Sequence, residues 1–326
     1  MQARYALVPS LAAVFVGSLT AIQSRANGSL SDLLNNGLQA ATISFSVGLI
    51  LSSILVVISS NRRGGVGRLF HAVRCGDLKP WMIIGGFFGA FFVFSQSVSV
   101  PVTGVALFAV ALVSGQSASA LIVDKFGLGP HGRQSVTGLR VVSALVGVSA
   151  VVVAVSGRLG SADVPIVPVT ISFLAGVGVS VQQAINGRVT AATAEPLVAA
   201  WWNFVVGALT LAVLLSAYVA LGHGQVAALP SGPLWVYLGG VVGVVFIATA
   251  SWVVGKVGVL RLSLLAIAGQ LLGSLILDFA VAHTIDLPLI GGVVLAFAAV
   301  VINASARKTP KSELTSSSRP DTAIRS

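Results

Sequence analysis

The chain has 326 residues, of which 56% are hydrophobic and only 9% are charged, and its mean hydropathy is +0.97. A water-soluble domain needs about a quarter of its residues charged, so this composition excludes a soluble protein and indicates that lipid is the solvent. The net charge is +10, and the basic residues lie in short segments between apolar runs. They form no clustered groove or recognition helix, which argues against a nucleic-acid partner.

Ten apolar runs follow one another along the chain, and each is long enough to cross a bilayer as a helix. The first five apolar runs lie at about residues 6–22, 38–58, 80–98, 103–123 and 138–156. By the same criterion the second five lie at about 165–185, 197–219, 234–254, 258–280 and 286–304. The first run lacks a signal-peptide cleavage site, so we interpret it as a retained helix. The sequence predicts an all-α integral membrane protein.

Signals of enzymatic chemistry are missing from the sequence. The single cysteine, Cys75, has no partner for a disulfide or a cysteine-based metal site. The four histidines fall in predicted loops, and no zinc-protease, serine-hydrolase or nucleotide-binding motif occurs. We therefore expect no catalytic residues, no metal and no cofactor.

An internal duplication is visible in two series of repeated landmarks. The first series recurs with a shift of 159 positions: Gln23, Asn27, Gly28, Phe45 and Gly48 match Gln182, Asn186, Gly187, Phe204 and Gly207. The second recurs with a shift of 154: Trp81, Gly85, Gly86, Gly89, Gly115, Gln116 and Asp124 match Trp235, Gly239, Gly240, Gly243, Gly269, Gln270 and Asp278. We predict a first five-helix repeat over 1–157, a second over 158–305, and a disordered cytoplasmic tail over 306–326.

Two five-helix repeats in one chain must be inverted, because five crossings end on the opposite side of the membrane. Of the 19 Lys and Arg residues, all but Arg25 and Arg158 fall on the side that carries the N-terminus. The equivalent loops 61–79 and 220–233 differ accordingly, since the first is strongly basic and the second has no Lys or Arg. The positive-inside rule then places both termini in the cytoplasm.

The amides Gln116 and Gln270 are the strongest candidates for binding a substrate. Each lies inside the fourth helix of its repeat, about 12 Å of helix rise from an aspartate and so near the bilayer midplane. Inversion puts them on opposing helices at similar depth, where transporters with inverted repeats place their substrate sites. The alternative is that they only bond helices together.

Two aspartates are candidates for proton coupling. Asp278 is followed by apolar residues and is the better candidate, although it could also cap a neighbouring helix. Asp124 is followed directly by Lys125, which favours interfacial charge pairing instead.

Polar residues close the first and sixth apolar runs. Gln23 and Asn27, with their copies Gln182 and Asn186, could line a cavity. Because Asn followed by Gly suits a left-handed helix C-cap, we favour capping over this shared binding role. The pairs Gly85 with Gly89 and Gly239 with Gly243 are interpreted as helix-packing faces.

These landmarks resemble the drug/metabolite transporter superfamily, and within it the YdcZ-type (EamA-like) inner-membrane proteins. The resemblance is carried by 23–27, 43–48 and 115–124 and by their second copies 182–186, 203–207 and 269–278. It implies a fused pair of five-helix units with both termini in the cytoplasm, and export of small metabolites or toxic compounds by alternating access. One departure from the repeat is the cluster Ser95–Gln96–Ser97, interpreted as extramembrane, which becomes Thr249–Ala250–Ser251 in the second copy.

We conclude from the sequence that the chain is a secondary transporter, with membrane lipid and a small-molecule substrate as its partners. The alternative is a non-transporting membrane scaffold or accessory subunit, in which the buried polar groups serve packing only. An intramembrane enzyme ranks third, because no nucleophile and base can be assembled at membrane depth. The oligomeric state stays open, with a homodimer among the arrangements.

Overall fold

The computed structural model describes residues 2–129, 133, 137–157, 165–246, 249, 259–282 and 286–306. Within them the chain is helical, with helices linked by short turns. In chain order these helices are α1 Gln2–Leu34, α2 Gly37–Val57, α3 Ser60–Arg74, α4 Gly85–Phe126, α5 Gly138–Ser156, α6 Ile166–Thr193, α7 Pro196–Ala220, α8 Leu234–Phe246, α9 Val259–Ala282 and α10 Leu287–Ala306. Helices satisfy their own backbone hydrogen bonds, as lipid requires.

Six helices in the described part of the chain are long and apolar enough to cross a membrane. The longest apolar segment, Pro80–Val123, contains most of α4. It has 44 residues, about twice the number that one crossing needs. It is interrupted at Gly104, whose φ of 76° and ψ of 171° are not helical. Counting α4 twice and leaving out the polar helix α3 accounts for the ten predicted crossings. The all-α membrane fold is confirmed.

Helices α1 and α6 extend further than the sequence predicts. α1 ends at Leu34, where Asn35 adopts a φ of 48°, and α6 ends at Thr193, where Ala194 adopts a φ of 55°. The expected caps at Asn27–Gly28 and Asn186–Gly187 are therefore wrong. Packing overrides the local preference: a Cβ at Gly28 would come within 2.8 Å of Val100 Cγ1, so glycine permits a close helix contact here instead of a helix end.

The basic segment expected as a loop at 61–79 contains helix α3. Its arginines bind the exposed carbonyl ends of two other helices: Arg62 and Arg63 donate to Leu55 and Val57 of α2, and Arg68 donates to Thr193 of α6 at 2.7 Å. These bonds satisfy carbonyls that have no partner inside their own helices. α3 therefore holds together the adjacent ends of α2 and α6, and with them the two repeats.

The equivalent segments 61–79 and 220–233 contact opposite ends of α2, as inversion requires. The Gln39 side chain at the start of α2 donates to Ala227 O at 2.7 Å and accepts from Ala227 N at 2.9 Å. α3 meets the other end of α2, about 30 Å away along a helix of 21 residues. The proposed boundary at 157/158 and the tail from 307 onward adjoin or fall on residues outside the described ranges, so these limits stay predictions.

The closest helix contacts cross between the repeats. α1 packs on α9, where a Cβ at Gly17 would overlap the Ala266 carbonyl and one at Gly269 would overlap the Val14 carbonyl. The equivalent contact joins α6 to α4: a Cβ at Gly176 would overlap Leu112 O, and one at Gly115 would overlap Phe173 O. The eight residues are equivalent in the two repeats: Gly17 and Gly176, Val14 and Phe173, Leu112 and Ala266, and Gly115 and Gly269.

A pseudo-twofold axis passes between α2 and α7. Phe45 and Phe204 are equivalent, and their ring centroids are 5.3 Å apart. Each ring fills the space beside the other helix's glycine, since a Cβ at Gly48 would overlap Phe204 and one at Gly207 would overlap Phe45. α5 and α10 pack together on the outside of the bundle, where Ser143 Oγ donates to Ala299 O at 2.7 Å.

We predict that Gly115→Ala destabilises the protein, because the added methyl group must push α4 away from the α6 backbone. Overpacking of this kind costs about 1–3 kcal/mol. Gly67→Ala is the matched control, since Gly67 lies on an exposed helical position with nothing within 4 Å of its Cβ direction. Thermal unfolding in detergent should show a lower midpoint for Gly115→Ala and an unchanged or higher one for Gly67→Ala. Equal midpoints would contradict the close approach of α4 and α6.

Candidate functional site

A cavity of about 470 Å³ lies between the repeats, where α1, α2, α4, α6, α7, α8 and α9 meet. Its walls are mainly apolar, with side-chain amides at intervals, which is the usual composition of a small-molecule site. Most of the described lining residues come as equivalent pairs from the two repeats: Gln23 and Gln182, Gln116 and Gln270, Phe45 and Phe204, Phe92 and Phe246, Leu112 and Ala266, Thr20 and Val179, and Gly89 and Gly243. The cavity therefore lies on the pseudo-twofold axis.

The two midplane glutamines both line this cavity, as their inverted positions lead one to expect. Gln270 is 93% buried, and its Nε2 has no hydrogen-bond partner among the described residues. A buried amide donor without a partner is costly, unless a ligand or water that enters the cavity accepts from it. The backbone carbonyl of Gln116 accepts from Ser180 Oγ of α6 at 3.1 Å, which ties the α4 segment that bears this glutamine to α6.

The cavity extends toward the end of the bundle where α6 finishes and α7 begins. Gln182, Gln183 and Asn186 of α6 line it, together with Asn203 of α7. Asn203 Nδ2 donates to Asn186 Oδ1 at 2.7 Å. Gln183 is exposed, and both Gln182 and Asn186 keep part of their surface accessible. These polar groups form the open end of the cavity.

Of the equivalent residues of the first repeat, Gln23 lines the cavity, whereas Ser24, Asn27 and Ser44 are not among the described lining residues. Asn27 Nδ2 donates to Gln96 Oε1 at 2.7 Å, Gln96 Nε2 donates to Ser24 Oγ at 2.9 Å, and Ser24 Oγ donates to Thr20 O at 2.9 Å. Asn27 and Gln96 are fully buried, and Ser24 is 1% exposed. We call Ser24, Asn27 and Gln96 the amide seal.

The structure corrects the placement of Ser95–Gln96–Ser97. The cluster was expected outside the membrane, but all three residues are fully buried within α4. The sequence signal that could have revealed Gln96 is its lack of a counterpart, since position 250 of the second repeat is alanine. The direct contact with Asn27 depends on how α4 and α1 pack, which sequence comparison of the repeats does not give.

Two acceptors beside the amide seal lack partners. Asn27 Oδ1 and Ser44 Oγ are buried without a hydrogen bond to any described residue. Their counterparts in the second repeat are Asn186 and Asn203, which are bonded to each other at the accessible end. The first repeat thus holds the same polar positions in a buried arrangement in which these two atoms lack a partner among the described residues.

Asp278 lies at the break in α4 and is not among the described residues that line the cavity. Its Oδ1 accepts from Val105 N at 2.9 Å and its Oδ2 accepts from Ala106 N at 2.7 Å. A carboxylate at the start of a helix satisfies unpaired amides and favours the positive end of the helix dipole. This is the capping alternative, and a proton-coupling role stays a prediction. The side chain of Asp124 lies outside the described residues.

A family model described as "Putative inner membrane exporter, YdcZ" matches the chain twice, over residues 8–153 and 167–302. One of the matching solved structures, titled only "Crystal structure of protein", is 20% identical with a TM-score of 0.53, and the match covers 93% of this chain and 99% of that one. This similarity shows the fold alone. None of the curated proteins matches the chain.

We predict that the two ends of the cavity differ in thiol accessibility. In a Cys75→Ser background, Gln183→Cys and its equivalent Ser24→Cys are compared with a water-soluble maleimide. Ser24→Cys should react about tenfold or more slowly, because its exposure requires an opening that costs about 1.4 kcal/mol or more. Equal rates for the two variants would show that the amide seal does not close the first-repeat end.

Proposed function

The chain belongs to the YdcZ family, whose members are described as inner membrane exporters, and we propose that it exports a small molecule as a secondary transporter by alternating access. The observation that carries the proposal is the cavity on the pseudo-twofold axis, which is accessible beside Asn186 and closed beside Asn27. Inverted repeats can exchange their two local conformations, which moves the opening to the other side of the membrane.

The unpaired atoms of the first repeat support a second conformation. Burial of Asn27 Oδ1 and Ser44 Oγ without partners costs about 1–3 kcal/mol each. If the first-repeat end opens, water or substrate can bond these atoms, while Asn186 and Asn203 close in turn. The cost of burying these atoms without a protein partner would therefore help to keep the two conformations close in free energy, which alternating access requires.

The charge pattern supports an orientation for the conformation seen here. Helix α3, with Arg62, Arg63 and Arg68, lies at the same end of the bundle as the open end of the cavity, since Arg68 binds Thr193 at the end of α6. The positive-inside rule assigns that end to the cytoplasm. In this conformation the cavity would then accept its substrate from the cytoplasm, as an exporter must.

The tight glycine contacts support helix pairs as the moving units. α1 with α9, and α4 with α6, each combine helices of different repeats. Packed backbones transmit displacement as rigid bodies, so the angle between these pairs would change, while the contacts inside each pair persist. The repeats themselves are too intertwined to separate as two blocks.

We predict saturable flux of substrate in proteoliposomes that falls at least about tenfold in Gln270→Ala, because truncation removes the unpaired amide donor from the cavity wall. Gln225→Ala is the control, since Gln225 is exposed in the loop between α7 and α8. Substrates are first found by screening a deletion strain and an overexpressing strain against a metabolite and drug panel. Flux that never saturates, or an unaffected Gln270→Ala variant, would contradict the proposal. A stoichiometric partner together with no flux would favour the scaffold.

We predict that Gln96→Ala weakens closure of the first-repeat end. The substitution gives the first repeat the alanine that the second repeat has at position 250, and it removes both bonds of the amide seal made by Gln96. Labelling of Ser24→Cys should rise several-fold in the double variant. Ser97→Ala is the matched control, because among the described residues the Ser97 hydroxyl bonds within α4, to Val93 O. No change with Gln96→Ala would show that helix packing alone closes this end.

A further inference from the structure

The described part of the cavity wall offers hydrogen bonds without charge. None of the described lining residues is Asp, Glu, Lys, Arg or His. Arg188, two residues beyond Asn186, instead donates to the carbonyls of Gly127 and Leu128 and stacks over Trp81, with its guanidinium carbon 5.6 Å from the ring centroid. Asp278 is engaged at the break in α4.

An ion in such a cavity would lose its hydration without gaining a counter-charge. The cost of bringing an unpaired charge into an apolar site is several kcal/mol, and amide dipoles recover only part of it. The free-energy cost of desolvation is far smaller for a neutral molecule with hydrogen-bond donors and acceptors, because each side-chain amide of the wall supplies both a donor and an acceptor. The wall therefore discriminates between neutral and charged forms of one compound.

Four phenylalanine rings contribute to the apolar part of the cavity wall. Phe45 and Phe204 form one equivalent pair in the wall, and Phe92 and Phe246 form the other. Aromatic pairs favour offset or edge-to-face contacts with a flat guest. The amides Gln23, Gln116, Gln182 and Gln270 are distributed over both repeats, so a guest on the axis meets hydrogen-bonding groups on opposite sides.

From this wall we propose that the transported compound is an uncharged, ring-bearing small molecule with several amide, aromatic amino or hydroxyl groups. The inference rests on the proposed function and specifies the substrate class of the same cavity. The volume of about 470 Å³ lies within the range of about 300–1,000 Å³ that encloses small-molecule ligands, which fits one or two rings. Quaternary ammonium compounds, phosphorylated metabolites and carboxylates are excluded as principal substrates.

The test uses compounds that differ in charge and little else. Proteoliposomes that contain the purified full-length protein are loaded with nicotinamide, nicotinate and the ring-methylated cation of nicotinamide. A second preparation is loaded with a nucleoside and its monophosphate. Release of each compound is followed by mass spectrometry. We expect saturable release of a neutral member at least about tenfold faster than of its charged analogues, since tenfold corresponds to about 1.4 kcal/mol. Saturable release of a charged member in preference to its neutral analogue overturns the substrate class and leaves the transporter proposal standing. If no member is released faster than from protein-free vesicles, the transporter proposal falls as well.

A charge placed in the wall gives an independent measure. Gln116→Glu, assayed at increasing pH until its carboxyl ionises in this apolar wall, should shift preference about tenfold toward the ring-methylated cation, because the carboxylate supplies the missing counter-charge. Gln225→Glu adds the same charge to an exposed loop and should leave selectivity unchanged. An unaltered preference in Gln116→Glu, in protein that still unfolds cooperatively, would show that this wall does not contact the transported compound.

Discussion

Backbone-to-backbone contact between helices of different repeats is the constraint on which the rest of the structure depends. Four glycines permit it: Gly17 and Gly269 between α1 and α9, and Gly115 and Gly176 between α4 and α6. In lipid there is little hydrophobic force between helices, so close packing of small residues supplies much of the association. Because each contact joins the first helix of one repeat to the fourth helix of the other, neither repeat completes its own packing, and the space left between the two helix pairs is the cavity.

The polar groups around that space are equivalent by duplication and unequal in their environment. Gln183 and Asn186 are accessible at one end, while Ser24 and Asn27 are closed at the other by Gln96. The helices α1 and α6 alone do not produce this difference. It requires the Gln96 side chain of α4, which has no counterpart in the sequence of the second repeat. Under the proposed alternating access, this single difference between the copies would bias which end is shut, and neutral hydrogen bonds with a net strength of about 1 kcal/mol each would leave the opening reversible.

The ten crossings and the convergence of Gln116 with Gln270 could be predicted from the sequence, because apolar length and a constant repeat spacing are global signals. Local signals failed where packing decided. Asn27–Gly28 has the pattern of a helix end, but α1 continues because Gly28 lets Val100 approach and because Asn27 bonds to Gln96. The sequence did not reveal that α3 is helical, because its apolar face is short. Its arginines bind the carbonyl ends of α2 and α6, so their role depends on contacts between helices.

The break in α4 also determines how the two helix pairs are joined. Gly104 frees the amides of Val105 and Ala106, and Asp278 of α9 accepts from both, so a carboxylate of one pair holds the start of a helix in the other. Both amides must stay aligned with the carboxylate, so the start of the second half of α4 is fixed relative to α9 in this conformation. Under the proposed exchange of conformations, the two helix pairs would keep this junction only by turning about it, because sliding along one another would remove both amides from the carboxylate.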